Sequence, residues 1–198
     1  YDIDSYDEKI IEKYVNHPKC IAIGECGLDY YRLPDDEFEK EENIKRQKEV
    51  FISQIELSKK YQKPLIIHIR EASNDSRLIL EKYASSELGG VLHCFNASAH
   101  LLPLANMNFY FGIGGVITFK NAKKLVEILP LIPQDKLIIE TDAPYLTPHP
   151  HRGVRNEPYY TTYVVKKMAE LLNLDENYIE DLTTKNAKKL FKEFSSIN

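Results

Sequence analysis

Short apolar runs alternate with longer stretches of helical pattern along this chain. The apolar runs are near-continuous, as is typical of parallel strands buried on both faces of a sheet, and they lie at 21–23, 65–69, 91–93, 109–113 and 137–140. Helical patterns, in which apolar residues recur every three to four positions, occupy parts of 39–61, 76–83, 122–129, 159–172 and 183–194. This alternation predicts an α/β fold with a parallel sheet of about five strands.

Two further local patterns bear on the fold. Ser5 and Glu8 have the spacing of a capping box, which predicts a first helix that Pro18 ends. No GxGxxG motif follows an apolar run, so the sequence gives no support to a dinucleotide-binding fold. The 198 residues are enough for one domain, which we expect to span 1–198, as either an open doubly wound sheet or a (β/α)8 barrel.

Side chains able to bind a metal accompany four of the apolar runs. Glu25 follows the first run, His68 lies in the second, His93 ends the third and Asp142 follows the fifth. Alone, each has an ordinary explanation, since a carboxylate caps turns and a buried histidine needs one hydrogen bond. Together they favour the barrel, whose active residues come from the C-terminal ends of several strands. Two imidazoles and two carboxylates suit a divalent ion such as Mg, Mn or Zn.

Composition and charge add little to this picture. Hydrophobic residues make up 43% and charged residues 28%, an ordinary globular balance without a membrane-spanning run of ~18 apolar residues. The three cysteines show no CxxC spacing, which favours reduced thiols in a cytoplasmic protein, and we expect Cys26 and Cys94 to be small packing residues. The net charge of −4 argues mildly against extended duplex binding, but not against a small site where bound metals supply positive charge.

Five motifs, in order along the chain, resemble those of the TatD family of metal-dependent deoxyribonucleases. They are GECGLDYYR at 24–32, PLIIHIR at 64–70, HCF at 93–95, ETDAPYLTP at 140–148 and RNEP at 155–158. Asn96 and Ala97 depart from the Ser-Gly that usually follows the third motif. No single motif is decisive, but five in order are specific.

The resemblance implies a fold, a site and an activity. The fold would be a metal-dependent (β/α)8 barrel of the amidohydrolase type. Glu25 would be shared between two divalent metal ions, His68 and His93 would hold one of them, and Asp142 would hold the other and take the proton from the attacking water. The substrate would be DNA, as single-stranded ends or short oligonucleotides in view of the acidic chain. A different ester, amide or phosphomonoester substrate stays open, because fold and site do not fix the substrate.

One family feature is absent from the sequence. The family begins with a strand that ends in His-x-His and completes the first metal site, and no such motif lies before Glu25. His149-Pro150-His151 has the spacing, but we expect it to be a surface loop. Since a (β/α)8 barrel typically needs ~250 residues, we expect strands four to eight of an incomplete barrel, with the first three strands missing. This absence leaves an alternative open, in which the chain as given is not an enzyme but an incomplete barrel that is stable only with a partner or with its missing N-terminal segment.

Three residues are weaker candidates for contacts with substrate. Arg70 and Arg155 could bind a phosphate, although a salt bridge to a neighbouring carboxylate explains each equally well, with Glu157 a possible partner of Arg155. Tyr30 could stack on a base, although tyrosines at strand ends more often pack over the rim of the sheet. Asp29 could orient a metal ligand or cap a turn.

Overall fold

Five parallel strands form one sheet in the computed structural model, which describes residues 3–192. The strands pair in chain order, and they are β1 (Ile23–Asp29), β2 (Leu65–Arg70), β3 (Gly90–Leu92), β4 (Phe109–Ile113) and β5 (Leu137–Ile139). The α-helices are α1 (Glu8–Val15), α2 (Glu37–Tyr61), α3 (Ser73–Tyr83), α4 (Lys123–Ile128), α5 (Thr161–Leu172) and α6 (Glu176–Leu190). Single 3-10 turns and a longer 3-10 segment, Ala99–Met107, make up other connections.

Both faces of this sheet are covered, as the apolar runs predict. Side chains alternate between the faces along each strand, so Leu92 and Phe111 pack into the main core, which also contains Phe51 and Ile55 of α2. The opposite face packs into a smaller cluster: Val91, Tyr110, Ile138 and Leu190. The α/β fold with a parallel sheet is therefore confirmed. Among the described residues, β1 and β5 are the edge strands of the sheet. That these five strands belong to an eight-stranded barrel lacking its first three strands stays a prediction.

The first strand differs from its prediction. We expected a strand at 21–23 that ends before Glu25, but β1 begins at Ile23 and continues to Asp29. Glycine and acidic residues have low strand propensity, and here pairing with β2 and the burial of Cys26 and Leu28 override it. Glu25 therefore lies inside β1, where the register with β2 shifts between Ile23 and Cys26.

Two smaller differences concern helix ends. The prediction of a capping box with Ser5 as the cap was wrong. The cap of α1 is Asp7, whose side chain accepts a hydrogen bond from the backbone N–H of Lys9 at 2.9 Å. The helical pattern at 183–194 belongs to α6, which ends at Leu190, and residues 193 and 194 lie outside the described part of the chain.

The cysteines and helices agree with the sequence-based expectations as far as they are tested. Cys20, Cys26 and Cys94 are free thiols. Within residues 3–192, every helix is too short or too polar to cross a membrane. The cytoplasmic location stays a prediction.

Candidate metal centre

Polar side chains follow the apolar ones at the edge of the sheet that is formed by the C-terminal ends of its strands. The register places Ile66 beside Val91 and Ile67 beside Leu92, so His68 and His93 follow side by side on neighbouring strands. His93 comes directly after β3, and Glu140 comes directly after β5. Because side chains repeat on one face with a period of two, these residues continue the face that carries Val91 and Ile138.

His68 lies between two carboxylates. Its Nδ1 is 3.0 Å from Oε1 of Glu25, and its Nε2 is 3.1 Å from Oδ2 of Asp29. The hydrogen bond to Glu25 raises the pKa of His68; burial opposes this shift, and the hydrogen bond to Asp29 adds a smaller rise. Each ring nitrogen of His68 therefore contacts a carboxylate oxygen, and carboxylate oxygens are common ligands of divalent ions.

Asp29 contacts His68 and also caps a turn, and its role in orienting a metal ligand stays a prediction. While Oδ2 faces the imidazole, Oδ1 accepts a hydrogen bond from the backbone N–H of Tyr31 at 2.9 Å. The side chain of Gln47 on α2 brackets the Asp29 backbone, accepting from its N–H at 2.9 Å and donating to its carbonyl at 2.8 Å. Asp29 is therefore held by a helix on one side and a turn on the other.

His93 lies between a second pair of carboxylates. Its Nδ1 is 2.5 Å from Oε2 of Glu140, and its Nε2 is 3.3 Å from Oδ1 of Asp142. The Glu140 contact, with smaller effects from the charges of Glu25 and Asp142, raises the pKa of His93 to about 9 against the opposing effect of burial. Glu140 was not singled out from the sequence, because it precedes Asp142 in the same motif and looked like the last residue of the strand.

The two histidines have similar surroundings. In each set one carboxylate is more exposed, with 41% of the Glu25 side chain and 36% of the Asp142 side chain accessible. The other is more buried, with 25% of Asp29 and 14% of Glu140 accessible. The more exposed member of each pair is the one predicted to bind metal.

The donor chemistry fits a divalent cation. Imidazole nitrogens paired with carboxylate oxygens at one sheet edge are the ligands that Zn or Mn takes in proteins. Within residues 3–192, no three His, Cys, Asp or Glu side chains group closely enough to enclose a metal ion on their own. The donors are instead arranged as two histidine–carboxylate sets, and the assignment of ligands to particular ions stays a prediction.

A cavity of about 790 Å³ opens at this edge of the sheet. His68, His93 and Asp142 line it together with Arg70. Glu25 lines a smaller cavity of about 220 Å³ beside β1, with Asp29 among its neighbours. The structure thus brings three predicted ligands into one cavity and joins the fourth to them through His68.

Arg70 is exposed at the rim of the larger cavity. Its guanidinium stacks on the ring of Tyr31, 3.5 Å from the ring centroid. In the described part of the chain, no carboxylate lies within 4.0 Å of this guanidinium, so the alternative of a salt bridge is not realised there.

The other candidates lie away from these contacts. Tyr30 donates its hydroxyl to Asp75 at 2.9 Å, and this contact joins the end of β1 to α3. Arg155 is exposed, without an ion pair to Glu157 among residues 3–192. In the loop after β5, His149 and His151 are half-buried, and the His151 ring stacks on Tyr160 with ring centroids 4.8 Å apart. Cys26 is buried in the core, and burial raises the pKa of the Cys94 thiol to about 12.

Comparisons with known proteins identify the family. The family model described as TatD related DNase matches residues 2–192. The chain is 46% identical over 194 residues to YabD of Bacillus subtilis, named an uncharacterized metal-dependent hydrolase, and the match covers 96% of this chain and 72% of YabD. It is 37% identical over 182 residues to a Rahnella protein named 3'-5' ssDNA/RNA exonuclease TatD, covering 88% of this chain and 66% of that protein. The crystal structure of YJJV, a TatD homologue from Escherichia coli, superposes with a TM-score of 0.83 at 24% identity, covering 96% of this chain and 73% of that one. The chain belongs to the family of TatD-related DNases.

Proposed function

We propose that this protein is a divalent-metal-dependent hydrolase that cleaves phosphodiester bonds of DNA, acting on single-stranded ends or short oligonucleotides. The observation that carries the proposal is the pair of histidine–carboxylate sets at one sheet edge, with His68, His93 and Asp142 opening into one cavity. The family, and the names of relatives that are called metal-dependent hydrolases, support the same chemistry.

Glu25, His68, His93 and Asp142 are the residues that would hold divalent ions, and we propose two ions. A bound divalent ion at this place supplies positive charge that offsets the charge developing on a phosphodiester during cleavage. The ligands are fixed before substrate arrives, because His68 is held by Asp29 and His93 by Glu140.

Asp142 is the proposed acceptor of the proton from the attacking water. With 36% of its side chain exposed, it is the more accessible carboxylate beside His93, and it lines the cavity. Oδ1 lies 3.3 Å from Nε2 of His93, which orients the carboxylate from one side. A proton transferred to Asp142 therefore arrives at a carboxylate that lines the cavity.

Arg70 is the proposed phosphate contact. Stacking on Tyr31 holds its guanidinium at the cavity rim without using its N–H groups, which leaves the planar donor fork for a phosphate. Single-stranded substrates fit the protein better than extended duplex, because a net charge of −4 opposes binding along many phosphates. Arg155 and Tyr30 stay weaker proposals, since neither lines the cavity in the described part of the chain.

The test is cleavage of an end-labelled single-stranded oligonucleotide by purified protein, with Mg²⁺, Mn²⁺ or Zn²⁺ added to metal-free enzyme. We expect cleavage that EDTA abolishes and that Asp142→Asn, purified in parallel, lowers by at least about 100-fold, as is common when a general base is removed. Duplex DNA, 4-nitrophenyl phosphate and 4-nitrophenyl acetate serve as competing substrates. Hydrolysis of one of these small esters in place of DNA would assign a different substrate, and no metal-dependent turnover on any of them would refute the proposal.

A further inference from the structure

The side chain of Glu140 reaches across one strand of the sheet to another. It follows β5, yet its carboxylate contacts the residues that follow β3, with β4 between them. Oε2 lies 2.5 Å from Nδ1 of His93, and Oε1 accepts a hydrogen bond from the backbone N–H of Cys94 at 2.9 Å. Both carboxylate oxygens are therefore committed to the segment that carries His93.

Glycines in and after β4 provide the space for this crossing. A Cβ at Gly112 would lie 2.7 Å from Oε2 of Glu140 and 3.1 Å from the backbone oxygen of Leu92. A Cβ at Gly114 would lie 3.2 Å from Oε1 of Glu140. Real Cβ atoms essentially never approach other atoms within 3.0 Å, so β4 accommodates the Glu140 carboxylate only because position 112 has no side chain.

The contacts determine which nitrogen of His93 is available. An ionised carboxylate only accepts hydrogen bonds, so the 2.5 Å contact places a proton on Nδ1. The same rule gives Nε2 a proton toward Asp142 while no cation is bound, but that contact is longer, at 3.3 Å, and Nε2 faces the cavity, so Nε2 is the nitrogen whose proton a cation would displace. A histidine that binds metal through one nitrogen and donates from the other to a carboxylate has a fixed ring orientation and a more basic ligand nitrogen.

We propose that Glu140 is a positioning residue that holds His93 with its proton on Nδ1, so that Nε2 is the nitrogen presented to a divalent cation. The inference rests on the proposed metal site and deepens it. A purely structural role for the same contacts would also stabilise the fold, so the test must separate the state of the ring from stability.

The experiment compares Glu140→Gln and Glu140→Ala with the wild-type protein and with Glu127→Gln, an exposed carboxylate on α4. Zn²⁺ affinity is measured by competition with a chromophoric chelator, and the ring nitrogens of histidine are observed by 15N NMR in the Zn²⁺-loaded protein. We expect Glu140→Ala to weaken Zn²⁺ binding about 10–100-fold, the range for outer carboxylates of metal sites, and the His93 Nδ1–H signal to be lost. Glu140→Gln should fall between, and Glu127→Gln should match the wild type.

The proposal is overturned if Glu140→Ala or Glu140→Gln leaves Zn²⁺ affinity within about twofold of wild type with the His93 ring signals unchanged. If Glu140→Ala does not fold, Glu140→Gln alone decides, because it keeps the shape of the side chain. Failure of the proposed function has a different result: wild-type protein would bind Zn²⁺ without cleaving DNA, while the effect of Glu140 on Zn²⁺ binding would persist.

Discussion

Gly112→Ala moves the Glu140 carboxylate without removing it, and its effect follows from the distances around Gly112. The new methyl carbon would lie 2.7 Å from Oε2, which is 0.7 Å short of the 3.4 Å at which ordinary contacts begin. A retreat of that size lengthens the 2.5 Å contact with His93 toward about 3.2 Å, the far end of the hydrogen-bond range. Crowding a packed site costs about 1–3 kcal/mol, and replacing glycine returns about 0.4–1 kcal/mol through the unfolded chain. We therefore expect a net loss of about 1–2 kcal/mol in stability.

Two measurements test this variant. Urea unfolding in EDTA reports its stability, and competition with a chelator reports its Zn²⁺ affinity. We expect Zn²⁺ binding to weaken about tenfold, the lower end of the range for displaced outer partners. Gly114→Ala, with its milder 3.2 Å approach, should show a smaller effect on both. Ile179→Val in α6 is the control, since it costs about 0.5–1.5 kcal/mol by loss of a core methyl without touching the site. Equal Zn²⁺ affinity in Gly112→Ala and Ile179→Val would refute the steric argument.

Three more predictions concern substrate, pH and core. Arg70→Met should lower kcat/KM on an oligonucleotide about 10–100-fold through KM, with Tyr31→Leu giving a smaller loss, because one charge-assisted contact contributes about 1.5–3 kcal/mol; an unchanged KM in steady-state assays would count against a phosphate contact. The hydrogen bond from Lys48, 2.7 Å away, lowers the pKa of Asp75 below its usual 3.8. The contribution of this ion pair to stability is therefore complete at pH values above the usual pKa and disappears as the pH falls through the lowered pKa. Asp75→Asn should cost at most about 1 kcal/mol at pH 7 and nothing at low pH, and urea unfolding at both pH values would show an equal deficit if the argument were wrong. Phe51→Ala, which empties a fully buried position, should cost about 3–5 kcal/mol in the same assay.

Much of the sheet could be predicted because its strands are apolar without interruption. β2 and β4 lie where the apolar runs place them, since a buried parallel strand needs little beyond a short hydrophobic run. β1 could not be placed in the same way, because glycines and acidic residues interrupt its buried apolar residues after Ile23. Its pairing with β2 is a long-range contact that no local propensity encodes.

The site shows the same division between local and long-range information. His68 and His93 could be identified from their position relative to apolar runs, and the structure brings them to one edge. The role of Glu140 could not be found in this way, since its partner His93 is 47 residues away and the contact depends on a glycine in the strand between. A glutamate directly after an apolar run and two residues before a predicted ligand is the signal that was available.

Pairing in chain order also fixes the sequence in which this site is built during synthesis. Asp29 and Glu25 leave the ribosome before His68, so the first histidine meets both of its carboxylates as soon as β2 pairs with β1. His93 emerges long before Glu140 and Asp142, which follow the last strand. A nascent chain that stops before β5 therefore carries one finished half of the donor set and a second histidine without either of its acids. The second histidine–carboxylate set can therefore form only after β5 has joined the sheet.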